Sequence, residues 1–558
     1  MDIRSGPATA ITELLGTAEQ GRLVLAEVLD RLEGAFPAAA GRRHRLGPGA
    51  WLVPLGGAGG GGSGDGGRGE LLIALAPASG SRDRGNGNGQ LVLSATVLDR
   101  AGLSDAGVAR ALGCLEAVPF TGWESDAFAE QLPLVSGLTK RVRDKPLGEC
   151  GLLMVGHLLS DLVVQAQTLI ALGARPEAMT VVDKGYPHKL RQRVAAHLAG
   201  LGVSLVAADG AGPADIETAL RLHAARVMEP SVVIDEGGLV GPTLMTSAPE
   251  LLPEYRGVVE QSMAGIEELE AFGADWPLPV FSVAQSTVKR GIEAHWVAES
   301  VVRSIRELLP GETFDGVPAL VIGFGTVGER VASVLRGQRM RVAVYDSEWP
   351  RLLAAHEAGH LTAPELAALL DGHRPLLVVS STGRGAGRGR PGLGGEDLDF
   401  LPAECFVANV SGRVAEIDLP GLAERAERIE DLGRVGVRYV LPRGPVTLLA
   451  DGLPVNLPAN LPRGGASPAV PARQSDLTMA AVVWGACALA RPGHGFAAGV
   501  DVARTDASIA DSGLVERYYR LYGPGMGADV RGRSRGGAAG SDPGRRTRAR
   551  ARARISEL

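Results

Sequence analysis

The stretch Val321-Ile322-Gly323-Phe324-Gly325-Thr326-Val327-Gly328, followed by Val342-Ala343-Val344-Tyr345-Asp346, decides the fold. It reads as a strand, a tight glycine turn, a helix start and a second strand ending in an acid. That is the order of a dinucleotide-binding βαβ unit. Gly323 allows the tight turn, Gly325 lets the backbone approach a pyrophosphate, and Gly328 lets the helix pack closely on the strand. The exposed N–H groups and positive dipole end of the helix after Gly325 favour phosphates. Asp346 stands where a carboxylate accepts both ribose hydroxyls and repels a 2′-phosphate, so the expected cofactor is NAD rather than NADP. In a chain with 78 glycines a lone GxGxxG means little. The flanking apolar strands and the acid make it specific.

Upstream, the texture changes at Lys145 to alternating strands and helices. Strands are expected at Gly151–Val155, Met179–Asp183, Ser204–Ala207 and Val232–Asp235. Helices are expected at Leu158–Leu172, Lys189–Leu201, Asp215–Leu222 and Gly291–Leu308. A second series starts at Ala319 and includes strands at Leu376–Ser380 and Cys405–Asn409. Strands separated by single helices imply parallel, doubly wound sheets. The expected fold is therefore α/β, with two such domains joined near Leu308–Asp315 and a cleft between them as the usual place for a ligand. Residues 1–124 form a separate α+β region, with an amphipathic helix over Ala8–Leu32 and strands at Ala50–Leu55, Glu70–Ala76 and Gln90–Val97. The glycine-rich segments Gly56–Gly69 and Ser79–Gly89 are either surface loops or phosphate loops, and neither runs into a clear helix start. Residues 523–558, rich in Gly, Arg and Ala without apolar periodicity, are expected to be disordered. The Arg-Ala repeat near Arg548–Arg554 is either a contact for nucleic acid or an acidic partner, or a solvated tail.

The bulk numbers bound the rest. A chain of 558 residues holds several domains. The net charge is −6, and the segment from Arg531 carries nine arginines against Asp542 and Glu557, so the remainder is distinctly acidic. A body of that sign is not a nucleic-acid binder by default. Cys114, Cys150, Cys405 and Cys487 show neither CxxC spacing nor a disulfide framework, which suits a reducing cytosol. The N-terminus lacks a signal-peptide pattern, and no apolar run reaches membrane-spanning length. The expectation is a cytoplasmic protein. No His/Cys/Asp cluster has metal-ligand spacing.

The segments around the glycine turn resemble the S-adenosylhomocysteine hydrolase family over roughly residues 140 to 490. Lys145-Pro146-Leu147, His157 and Thr168-Leu169-Ile170-Ala171-Leu172-Gly173-Ala174 are similar to its opening substrate-domain strand and helix. Ile234-Asp235-Glu236-Gly237-Gly238 resembles its paired-acid diglycine turn, and Arg256-Gly257-Val258-Val259-Glu260-Gln261-Ser262 the segment that follows. Ser286-Thr287-Val288-Lys289 matches the catalytic-lysine motif, with Glu293 one helical turn on. Val379-Ser380-Ser381-Thr382-Gly383 and Asn409-Val410-Ser411 resemble loops bordering the nicotinamide. Leu448-Leu449-Ala450-Asp451-Gly452-Leu453-Pro454-Val455-Asn456-Leu457 resembles the late strand whose Asn faces the cofactor. The resemblance implies a substrate domain at 125–310, a Rossmann NAD-binding domain at 311–460 and a return to the substrate domain at 461–522.

It also implies a chemistry. NAD oxidises a 3′-hydroxyl, the neighbouring C4′–H becomes acidic, and a base removes it. Then thiolate leaves, water adds and the ketone is reduced. The implied catalytic residues are Lys289, Glu293, His157 and Glu236. The implied cofactor-binding residues are Gly323, Phe324, Gly325, Thr326, Val327, Gly328, Asp346, Thr382, Gly383, Val410 and Asn456. Lys289 and Glu293 share a face if that segment is helical; the plain alternative is a surface ion pair worth about 0.3–0.5 kcal/mol. His157 is a catalytic group or a partly buried packing residue. His188 and Lys189 bind an anion or cap the following helix, and His295 and Trp296 pack on the linking helix.

Departures stand beside these matches. Gln261 replaces a catalytic Glu, Gly412 and Arg463 replace histidines, Glu236 and Glu293 replace Asp, and the segment Asp183–Lys189 is unlike the family's adenosine side. The closing lysine and tyrosine that reach a neighbouring subunit's NAD have no counterpart in Tyr518–Leu558. Losing one proton carrier costs about 10²–10⁴ in rate. The leading expectation is an NAD-dependent oxidation of a secondary alcohol on a nucleoside-like or sugar-like small molecule, in a possible homo-oligomer. A non-catalytic NAD-binding sensor or scaffold and a divergent S-adenosylhomocysteine hydrolase are the alternatives.

Overall fold

The computed structural model describes residues 9–16, 18–36, 43–47, 50–55, 69–77, 89–99, 105–185, 190–207, 212–383, 391–410, 416–456 and 470–523. Most of the two glycine-rich segments, His188, Lys189, Gly412, Arg463 and all but the first residue of the arginine-rich tail lie outside them. Three sheets organise the described residues.

The first sheet is antiparallel, in the order Thr9–Gly16, Gly89–Asp99, Gly69–Pro77, Ala50–Leu55 and His44–Gly47. Helices Ala18–Ala35 and Asp105–Glu116 share its core through Val28, Leu32, Leu71, Ile73, Leu93 and Leu115. Thr9–Gly16, which apolar spacing assigns to the first half of a helix, is a strand. It pairs residue for residue with the strand Gly89–Asp99, from Thr9 opposite Thr96 to Gly16 opposite Gly89. That partner lies far along the chain, so the ladder overrides local periodicity. The helix starts only at Ala18.

The second sheet is parallel throughout. Its order is Gly499–Val500, Pro279–Ser282, Tyr255–Glu260, Ser231–Asp235, Gly151–Gly156, Met179–Asp183 and Ser204–Ala207. Gly151–Gly156 is buried along its whole length, as a strand with helices on both faces must be. Helix Ala472–Ala490 returns from late in the chain and packs against the strands Ser231–Asp235 and Tyr255–Glu260. The carboxyl ends of these strands run directly into the chemistry-bearing positions: Gly156 into His157, Asp183 into Lys184, Asp235 into Glu236, and Glu260 into Gln261.

The third sheet begins with six parallel strands, in the order Leu361–Thr362, Arg341–Tyr345, Pro318–Ile322, Leu377–Ser380, Cys405–Asn409 and Gly444–Leu449. An antiparallel pair, Gly436–Leu441 and Arg428–Asp431, extends it. Numbered along the chain, the parallel strands run 3-2-1-4-5-6, the order of dinucleotide-binding sheets, and it reverses between Pro318–Ile322 and Leu377–Ser380. Helix Ala294–Leu308 joins the second and third sheets. Ala298, Val301, Val302, Ile305 and Leu308 recur at three- and four-residue spacing and are buried with Ala319, Val321, Val331 and Leu335 of the third sheet's layer. The fold is α/β, and no helix among the described residues is long and apolar enough to cross a membrane.

Candidate active site

Two groups of side chains form at the carboxyl edges of the parallel sheets. In the first, Lys289 and Glu293 lie in a single π-helical turn, Lys289–Glu293, closed by the Ala294 N–H donating to the Lys289 carbonyl. The wider turn is not the α-helix expected from Gly291, and such turns are frequent at functional sites. Lys289 Nζ donates to Glu293 Oε1 at 2.8 Å, while Glu293 is only 5% exposed. This is not a surface pair. Glu293 Oε2 is buried and has no partner among the described residues.

His157 and Glu236 face each other, with Nε2 and Oε1 3.7 Å apart. Burial lowers the His157 pKa below the usual imidazole value, against the opposing pull of Glu236. For Glu236 the balance reverses. Burial acts to raise it, but His157, Lys184, Lys289 and a hydrogen bond from Gln261 together hold it below the ordinary carboxylate range. The cluster therefore holds a favoured anion at Glu236 beside an imidazole that favours its neutral form.

Three further members are not among the expected catalytic residues. Asp161, one helical turn beyond His157, is pushed up to about 6 by burial and then by the charges of Glu236 and Glu293. Lys184 Nζ donates to the Glu236 carbonyl at 2.9 Å. Glu260 is fully buried and receives the N–H groups of Gly237, Gly238 and Ser262 and the Ser262 hydroxyl. It ties the diglycine turn that carries Glu236 to the neighbouring strand end. Gly238 has φ +64°, and a Cβ there would lie 2.5 Å from Gly265 Cα, so that turn admits no side chain. Gln261 bonds to Glu236 through its side chain, and its Oε1 is buried without a partner among the described residues.

The second group surrounds the glycine turn. Gly323 has φ +96°, and a Cβ there would sit 2.6 Å from the Ser381 carbonyl. A Cβ on Gly328 would lie 2.0 Å from the Gly323 carbonyl. Gly325 differs: its Cβ direction is open to within 4.0 Å, where it meets only Arg351 Nη1. The first and third glycines are thus required by packing, whereas the second borders the open space in which a pyrophosphate would rest. Helix Thr326–Gly337 starts immediately after Gly325, with Thr326, Val327 and Gly328 in its first turn. Phe324 gives the site its backbone, since its ring is buried in the core. Asp346 accepts the Phe324 N–H at 2.7 Å and the Glu348 N–H at 2.9 Å, which fixes its carboxylate beside the turn.

On the other side of the strand reversal lie Thr382 and Gly383, whose backbone N–H groups donate to the buried Glu416. Val410 N–H donates to the Ser380 carbonyl, and the buried Asn456 follows Val455, whose N–H donates to the Asn409 carbonyl. Pro454, two residues before Asn456, bridges to Asn409, two strands along the sheet from Pro318–Ile322 on the side away from Asp346.

No family model matches the chain. An adenosylhomocysteinase of Saccharolobus solfataricus is 26% identical over 341 residues, covering 59% of this chain and 76% of that protein. An S-inosyl-L-homocysteine hydrolase of Methanopyrus kandleri is 25% identical over 342 residues, with the same coverage of 59% and 76%. The chain is a divergent relative of the adenosylhomocysteinases. Among solved structures, a phosphoglycerate oxidoreductase of Vibrio cholerae is similar over 44% of this chain and 78% of its own, at 15% identity and a TM-score of 0.31.

Proposed function

We propose that this adenosylhomocysteinase-like chain binds NAD and reversibly oxidises a secondary alcohol of a nucleoside-like or sugar-like compound. The observation that carries the reading is the Lys289–Glu293 pair, 2.8 Å apart in a π-turn and gathered with His157, Glu236 and Asp161. The open cradle at Gly325, the N-terminus of Thr326–Gly337 and the fixed Asp346 carboxylate fit a dinucleotide. Thr382, Gly383, Val410 and Asn456 would border its other half. NAD bound there supplies a hydride acceptor.

The chain's own residues supply the proton chemistry. Lys289, its ammonium held by Glu293 Oε1, is the group to hold the alcohol oxygen and favour its deprotonation. Glu293 Oε2, buried and unpartnered, can accept a hydroxyl hydrogen from the substrate. Burial lowers the His157 pKa and raises that of Asp161 to about 6, so each is a candidate to give or take up a proton at the site. Gln261 can orient Glu236 but cannot take up a proton. With Gly412 and Arg463 also in place of histidines, elimination at a neighbouring carbon lacks several of its carriers, whereas the residues for the oxidation half are present.

The test is to denature the purified protein and assay released NAD, then to add nucleosides to the intact protein and follow the absorbance of reduced nicotinamide. Lys289→Ala should abolish that signal while NAD stays bound; unchanged turnover in the variant refutes the assignment. Homocysteine release from S-adenosylhomocysteine or S-inosylhomocysteine would instead identify a hydrolase.

A further inference from the structure

Glu416 belongs to none of the motifs that mark the two groups above, yet it is fully buried beside the second. Its Oε2 accepts the Ser380 hydroxyl at 2.7 Å, the Thr382 N–H at 3.1 Å and the Thr382 hydroxyl at 3.0 Å; its Oε1 accepts the Gly383 N–H at 2.5 Å. Four donors from one short loop thus converge on one carboxylate. Glu416 is itself anchored, since its carbonyl accepts the Leu393 N–H and Ile417 forms a bridge with Leu393. Gly392 backs the arrangement: a Cβ there would lie 2.8 Å from both Ser380 Oγ and Thr382 Cγ2.

The loop's place in the sheet gives this staple its meaning. Asp346 ends the strand on one side of Pro318–Ile322, and the Ser380–Gly383 loop ends the strand on the other. A dinucleotide lying across the strand reversal puts its adenosine half toward Asp346 and its nicotinamide half toward Thr382 and Gly383. The loop also presses on the glycine turn, with the Ser381 carbonyl against Gly323. Gly383 has φ +71°, so the backbone there turns in a conformation that side chains rarely adopt.

We propose that Glu416 is a positioning residue that sets the nicotinamide half of the dinucleotide site by holding Thr382 and Gly383. The proposal rests on the NAD reading above. An acid is needed because all four neighbours are donors: a glutamine offers one oxygen and one NH₂, so its nitrogen meets a donor whichever way it is turned.

The test is a pair of calorimetric titrations of the cofactor-free full-length protein, with NAD and with ADP-ribose, which lacks only the nicotinamide. Glu416→Gln should weaken NAD by about tenfold or more and leave ADP-ribose within about twofold. Equal loss for both ligands would make Glu416 a general structural residue, and no loss for either would leave it without a role; both results overturn the proposal. If the glutamine variant does not fold, Gly392→Ala displaces Thr382 without removing the acid and should show the same selective loss. Wild-type protein that binds ADP-ribose and NAD equally well also overturns the proposal while sparing the dinucleotide reading. Wild-type protein that binds neither refutes the NAD reading itself.

Discussion

Replacing Glu260 with glutamine probes how the site's framework responds to pH. Glu260 Oε1 takes the Ser262 N–H and hydroxyl, each at 2.7 Å, and the Gly237 N–H at 3.3 Å; Oε2 takes the Gly238 N–H at 3.1 Å. A glutamine with its oxygen at the Oε1 position keeps three of these and sets its nitrogen against the Gly238 N–H. One buried donor facing another costs about 1–3 kcal/mol. The wild-type carboxyl has a different burden. Burial first, and then the charge of Asp235, hold its pKa above the ordinary carboxylate range. The folded chain therefore keeps a proton that the unfolded chain releases. The stability linked to that proton is complete below the unfolded pKa and is lost as pH rises toward the folded one. Glutamine carries no such loss. In urea titrations near pH 5 the variant should be less stable by about 1–3 kcal/mol, and near pH 8 the deficit should shrink by at least about 1.4 kcal/mol. A deficit that stays constant or widens as pH rises would refute this account of the Glu260 environment.

Other perturbations separate packing from binding. Gly328→Ala should prevent the third sheet from folding, because the added carbon lies 2.0 Å from the Gly323 carbonyl; a normal thermal melt would contradict this. Gly325→Ala meets only Arg351, at 4.0 Å, so it should fold at a cost of about 1 kcal/mol while losing NAD binding by calorimetry. Arg193→Ala should lower stability by about 3–5 kcal/mol. Arg193 is buried, bonds Glu124 at 2.8 Å and lies 4.3 Å over Phe120. A thermal-melt deficit below about 1 kcal/mol would refute that estimate. If His157 sets the acid limb of a pH–rate profile, burial places that limb below the usual imidazole range, and His157→Gln should remove it.

The residues legible in the sequence are those whose reasons are local. The glycine turn and Asp346 announce themselves because a βαβ unit fits within about 30 residues. Lys289 and Glu293 are visible from their spacing, although the extra residue in their turn is not. Glu416 and Asp476 are illegible because their partners are remote. Asp476 accepts the Leu134 N–H at 2.9 Å across 342 residues of chain, and so caps the helix Pro133–Arg141 from outside its own neighbourhood. Asp161 was within reach, since it follows His157 by one turn, but its perturbation comes from Glu236 and Glu293, which arrive from other strands. The strand Thr9–Gly16 escaped for the same reason, because the ladder that fixes it begins only at Gly89.

The helix Ala294–Leu308 has a consequence for how the protein responds to occupancy. Its first residue closes the turn bearing Lys289, and its apolar face is buried in the third sheet's core with Val321 and Phe324. One helix thus links the turn that bears Lys289 to the core under the dinucleotide cradle. Any ligand that selects the folded form of the third sheet damps the excursions of the lysine by the same mass action. Amide exchange at Arg290 through Ala294 should therefore report cofactor saturation without the cofactor touching those residues. Slow exchange there in the empty protein would mean that the lysine is set in advance of binding.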